Sequence, residues 1–238
     1  MKQSRKIIKY LFFSAFFILP AAFCFAFYFF VVRKPIVERN TSIYVKLPYF
    51  GPKSLNEKND TVYYSVPEFI LMDHTGNAFG AEQLNGKMYV GSFLTTYEKT
   101  TGPKLSAHFL YAMKKISHIK DVHLLSFMLD PEKDSLSVLN YYSYETHADP
   151  KKWTYVTGPP DSLRQMALNN YFLKDKNNVV SEDGKMIASK WMILVDKERH
   201  IRGYYDGTIT SEVNRMIDEI KVLNAAYTMK DKSNVQQQ

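Results

Sequence analysis

Soft and borderline donors are few in this chain: one cysteine, ten methionines and six histidines in 238 residues. The cysteine, Cys24, sits inside an uninterrupted apolar run. Everything beyond that run therefore lacks a thiol. It can form no disulfide and offers no thiolate to a substrate or a metal, and dithiol redox chemistry within the chain is excluded. The histidines are His74, His108, His118, His123, His147 and His200. His118 and His123 are close in sequence but straddle a helix-to-strand turn without a recognised ligand spacing. All six read as solvent-exposed or hydrogen-bonded side chains. Met128, Met186 and Met192 offer thioethers, yet methionine in or near a strand is usually packing. Tyr141, Tyr142 and Tyr144 fit a partner surface and half-buried helix tyrosines equally well, and Lys114-Lys115 reads as a solvated helix face.

The apolar run sets the context for these groups. Leu11 to Val32 holds 22 consecutive uncharged residues. At about 1.5 Å per residue, a helix of that length spans roughly 33 Å, enough to cross a hydrocarbon core. Pro20 within it is tolerated in a membrane helix. Lys2, Arg5, Lys6 and Lys9 precede the run with no acidic residue among them, which keeps the N-terminus cytoplasmic and sends the remainder across. A cleaved signal peptide would have a shorter apolar core ending in small residues, whereas Phe25, Phe27, Tyr28, Phe29 and Phe30 continue this one. Ala21-Ala22-Phe23-Cys24 partly resembles a lipidation motif, but Phe23 stands where a small residue is wanted. The expectation is a single-pass protein of a bacterial inner (cytoplasmic) membrane with its folded domain periplasmic or otherwise extracytoplasmic. The net charge of +7 comes from 31 basic and 24 acidic residues. Four of the basic residues belong to the N-terminal stub, so the rest is too weakly and diffusely basic to argue for nucleic-acid binding.

Element signals divide the rest. Residues 1–10 are the stub, 11–32 the anchor and 33–62 a linker in which Leu47-Pro48-Tyr49-Phe50 can pack back onto the domain. Residues 63–226 form the domain and 227–238 a polar tail. Within the domain, Phe69–Met72 reads as a strand entering the turn Asp73–Asn77, and Lys87–Leu94 as a strong short strand. Leu105, Phe109, Ala112, Met113, Ile116 and Ile119 mark one face of a helix. Val122–Leu129 is a second buried strand, after which Asp134 is placed to cap a helix. Pro159-Pro160-Asp161 opens another helix, containing Leu163, Met166 and Ala167. Trp191–Val195 and Ile201–Tyr205 form a hairpin around Lys197-Glu198-Arg199. The last helix carries Val213, Met216, Ile217, Ile220 and Leu223. Strand–helix–strand, then helix, hairpin and helix predicts an α/β fold: a thioredoxin-like central mixed sheet flanked by helices.

These segments resemble the SCO/SenC family of membrane-anchored copper chaperones. The resemblance is carried by Pro67-Glu68-Phe69, Gly86-Lys87, Phe93-Leu94-Thr95-Thr96 and Leu129-Asp130-Pro131-Glu132-Lys133-Asp134. It continues through Asp149-Pro150, Trp153-Thr154, Thr157-Gly158, Leu194-Val195-Asp196 and Ile201 to Gly207. It implies a thioredoxin-like fold with an inserted hairpin, and a role in delivering copper to cytochrome c oxidase or maintaining its thiols. The family's ligands are a Cys-x-x-x-Cys pair after the first core strand and a histidine before a later one. Aligned on these motifs, the cysteines fall at Tyr97 and Thr101 and the histidine at Ala188, with Gly102 or Pro103 meeting the motif's proline. Asp130 matches an acidic family position that ends a strand and reads as a structural turn. A phenol, a hydroxyl and a methyl group do not replace the soft donors that Cu(I) favours. The resemblance with its lost ligands implies a non-catalytic, redox-inactive scaffold with no cofactor, acting as an interaction or assembly factor beside respiratory oxidase subunits or their assembly factors. The alternative is a copper carrier using substituted His/Met ligands.

Overall fold

The computed structural model describes residues 47–174, 179–182 and 184–235, with the isolated positions 20, 23 and 25. Apart from those three positions, the expected anchor lies outside the described residues, as do Cys24 and the linker up to residue 46. Among the described residues no helix is long and apolar enough to cross a membrane. The chain divides into a unit of residues 1–46 and a compact unit that begins at Leu47, which holds the folded domain.

The centre of that domain is a seven-stranded mixed sheet. Its three middle strands, β5 (Met88–Leu94), β6 (Val122–Met128) and β7 (Trp153–Thr157), are parallel. On one side β10 (Trp191–Val195) pairs antiparallel with β5 and with β11 (Ile201–Asp206). On the other, β3 (Ile70–Asp73) pairs antiparallel with β7 and with β4 (Ala78–Gly80). The order across the sheet is therefore β11-β10-β5-β6-β7-β3-β4. Two small hairpins stand apart from it: β1 (Lys53–Leu55) with β2 (Thr61–Tyr63), and β8 (Val179–Val180) with β9 (Met186–Ala188).

Alternation along the strands feeds two cores. From β5, Met88, Val90 and Leu94 join Leu124, Met128, Trp153 and Tyr155 under three helices. These are α1 (Thr101–Lys115), α2 (Leu136–Glu145) and α4 (Thr210–Val235). They press Leu105, Phe109, Leu139, Val213, Met216 and Ile220 onto that face. Tyr89 and Phe93 point the other way and meet Leu125, Phe127 and Val156. Helix α3 (Pro160–Gln165) and the wider turn Met166–Asn170 cover that side with Leu163, Met166, Ala167 and Tyr171. The expected thioredoxin-like mixed sheet flanked by helices is thus what forms.

Four features differ from the sequence reading. The third parallel strand, β7, is additional: WTYVT is buried throughout like β5 and β6, but it is only five residues long and two of them are threonines, so it lacks the long apolar run that marks the other two. Folded structure starts well before residue 63. Leu47, Pro48 and Phe50 pack back onto the domain as expected, through Arg202 and Ile201, but the hairpin β1–β2 fills the segment expected as linker. Helix α4 continues through most of the expected polar tail, to Val235. Asp134 does not cap α2, whose first turn follows Ser135 without a side-chain cap; its carboxylate is taken by Thr96 instead.

Candidate functional site

The parallel strands end together in register, Leu94 opposite Met128 and Met128 opposite Thr157. The loops leaving them therefore gather at one end of the sheet, where open α/β sheets place their sites. Tyr97 lies in the loop after β5, and Thr101 is the first residue of α1. Ala188 closes β9, and the amide of the next residue, Ser189, donates to Phe93 O at 2.8 Å. The structure thus brings the three positions assigned by the resemblance to the same end of β5.

Tyr97 is engaged within the loop cluster. Its hydroxyl donates to Asp130 Oδ2 at 2.9 Å, and Lys133 Nζ stands 4.3 Å from its ring centroid and 3.8 Å from the Asp130 carboxylate. Burial and the neighbouring Asp130 carboxylate push the phenol up to about 12, so it is neutral at physiological pH. Tyr97, Leu129, Asp130, Pro160, Arg164 and Met186 line part of a cleft of about 300 Å³.

Beside it, Glu98 serves the start of α1. Its carboxylate accepts from the amides of Thr100 at 2.8 Å, Thr101 at 2.5 Å and Gly102 at 2.7 Å, and from Thr100 Oγ1 at 2.5 Å. The opening amides of a helix have no partner within it and carry a partial positive charge, so an anion there is strongly held. Burial alone would raise this carboxyl; the bonds from Thr100, Gly102 and Thr101 outweigh it and hold the group below its usual range. Sequence reading passed over Glu98, although an acid just ahead of Thr100-Thr101 at a helix start was the available signal. A third acid, Asp134, is fully buried and accepts from the Thr96 amide at 3.2 Å and from its hydroxyl. Burial raises its carboxyl, aided by Asp130, against the bonds from Thr96. Gly102 and Pro103 lie in the first turn of α1, where proline forfeits no intrahelical bond.

The donors at Tyr97, Thr101 and Ala188 do not fit copper. Tyr97 is committed to Asp130, Thr101 offers only a hard hydroxyl, and the fully buried Ala188 offers only a methyl group. The histidines are scattered. His123 is buried on β6, bonded to Thr154 Oγ1 at 2.9 Å and stacked on Phe79, while His118 is exposed. Burial, with Lys87 and Lys152 nearby, depresses His123 to about 4. His108 Nδ1 is bonded to Gly207 O, and His74 is buried with Nδ1 unpartnered. Asp196, Glu198 and His200 do approach one another in the β10–β11 turn. There Asp196 is already engaged by Arg202 at 2.8 Å and by the amides of Glu198 and His200, and Glu198 by Tyr227.

A thioredoxin-like domain that keeps its candidate site where the first core strand meets the following helix, with a separate hairpin supplying the third position, defines the class. The SCO1/SenC family profile matches residues 57–224, and the chain belongs to that family. The SCO1 protein homolog of Bacillus subtilis is 24% identical over 175 residues, covering 72% of this chain and 87% of the relative. A SCO1/SenC family lipoprotein from Bacillus anthracis is similar in fold, with 23% identity, a TM-score of 0.60, and 67% of this chain and 95% of the other covered. Arabidopsis thaliana ScoI, solved with copper bound, gives 23% identity and a TM-score of 0.54, covering 66% of this chain and 99% of the other.

Proposed function

We propose that this chain is a membrane-anchored SCO1/SenC protein that acts as an interaction or assembly factor in respiratory oxidase biogenesis, without the family's copper site and without redox chemistry. The observation that carries this reading is the start of α1. Where family members present thiolates to a metal, this chain turns the Glu98 carboxylate onto the helix amides and closes Tyr97 onto Asp130. Positive helix-end potential that would favour a thiolate is thereby met internally. The anchor rests on the uncharged run 11–32 and its basic N-terminal flank.

Deletion of the gene tests the role. Assembled cytochrome c oxidase should fall, and added copper should not restore it; restoration by copper would instead favour a carrier using His/Met ligands. Topology is tested separately. Protease added to spheroplasts should digest the domain beyond Arg33, whereas a protected domain would overturn the assigned location.

A further inference from the structure

The opposite end of the sheet has a different chemistry. Lys87 precedes β5, Lys120 precedes β6, and Lys151 and Lys152 precede β7, and the three strands start close together in register. Lys114 and Lys115 form the last turn of α1, which returns to this end. None of these six ammonium groups makes an ion pair among the described residues. Lys87 donates to Gln83 O at 2.9 Å and Lys152 to the carbonyls of Ile119 and Lys120, while Lys114, Lys115, Lys120 and Lys151 are exposed. The acids nearby are mostly engaged. Asp121 pairs with Lys197 at 2.7 Å, Glu68 with Arg199 at 2.8 Å, Glu198 with Tyr227, and Asp149 accepts from the Lys151 amide; Glu82 is exposed.

A second observation concerns where the compact unit begins. Because β10 runs against β5, with Val195 opposite Tyr89, the β10–β11 turn lies at this same end. Arg202, buried and paired with Asp196, donates to Leu47 O at 2.6 Å and to Pro48 O at 3.0 Å. The chain therefore enters the domain at the lysine-rich end, away from the candidate site.

We infer that the lysine-rich end is a docking surface for the anionic lipid headgroups of the membrane that holds the anchor. Clustered basic side chains close to an anionic bilayer gain favourable energy additively and lose it within a Debye length. A domain so docked presents the Tyr97 cleft away from the bilayer, toward partners in the surrounding compartment. The inference rests on the proposed membrane anchor.

The test uses the full chain in nanodiscs of phosphatidylcholine alone or with about a third phosphatidylglycerol, with lysine acetylation rates followed by mass spectrometry. At low salt, Lys114, Lys115, Lys120 and Lys151 should react at least about threefold more slowly in the anionic discs. Lys99, Lys104 and Lys133, at the other end, should not change, and high salt should abolish the difference. The double variant Lys120→Glu/Lys151→Glu should lose the protection at Lys114 and Lys115. Equal rates in the two lipids overturn the docking surface and leave the anchor standing. Release of the chain from membranes by alkaline carbonate overturns the anchor, and the docking surface with it.

Discussion

The two ends of the parallel strands differ in what their charges do. At the site end, Glu98 and Asp134 are consumed by backbone amides and threonine hydroxyls, and Asp130 by Tyr97. At the other end, Lys197 pairs with Asp121, but Lys87, Lys114, Lys115, Lys120, Lys151 and Lys152 stand without acidic partners among the described residues. Helix α1 links the two arrangements, with Glu98 at its amide end and Lys114 and Lys115 at its carbonyl end, the signs that the helix dipole favours. The lesson is that charge spent internally builds a loop, whereas charge left unpaired remains available to something outside the domain.

The largest expected effect lies at the lysine-rich end. His123 has a folded pKa of about 4 against an ordinary 6.5. Its contribution to stability is complete above about pH 6.5 and is lost as pH falls toward 4. That loss amounts to about 3 kcal/mol. In His123→Gln, urea unfolding at pH 7 and pH 4.5 should differ by about 2 kcal/mol less than in the wild type. An unchanged difference would show that burial there does not disfavour the charged imidazole.

At the site end, Glu98→Ala should cost about 2 kcal/mol at neutral pH, because three amides at the start of α1 lose a charged acceptor. Since the Glu98 carboxyl is held low, its contribution is present above the usual glutamate range and fades as pH falls through it. A cost below about 0.5 kcal/mol in chemical denaturation would break the proposed contrast between spent and unspent charge.

Smaller still is Asp134→Asn. Burial raises the folded pKa of Asp134, so ionising it costs stability as pH rises through the carboxylate range. The variant should fall within about 1 kcal/mol of the wild type at pH 7 and lack that decline, as read from unfolding curves at several pH values. Lys151→Ser should change stability by no more than about 0.5 kcal/mol, as expected of an exposed lysine without an ion-pair partner.

How much of this was legible depended on the kind of signal. Helix α1 and the β10–β11 hairpin announce themselves through apolar spacing and turn residues, and the mixed sheet follows from their order. Strand β7 does not: like β5 and β6 it is covered on both faces, but at five residues with two threonines it has no long apolar run to mark it. The fate of Tyr97 could not be read either: its contact with Asp130 joins loops 33 positions apart. The roles of Asp134, expected to cap α2, and of Glu98, which carried no expectation, were hidden for a related reason. Short acidic side chains near a helix start suit several amides, and tertiary placement chose Thr96 for Asp134 and the α1 amides for Glu98. Leu47-Pro48-Tyr49-Phe50 announces a segment able to pack back, but not its partner: Arg202 lies 155 positions from Leu47.

The claim that the site end is closed on itself is tested most directly by copper stoichiometry. The full chain in detergent would be loaded with Cu(I), challenged with a strong chromophoric chelator and assayed beside Tyr97→Cys/Thr101→Cys/Ala188→His. The wild type should retain no stoichiometric copper, because its site end offers no thiolate and Tyr97 is committed to Asp130. The folded triple variant, with two sulfur donors and an imidazole on loops already held together, should gain affinity. One tightly held copper per wild-type chain would contradict the account.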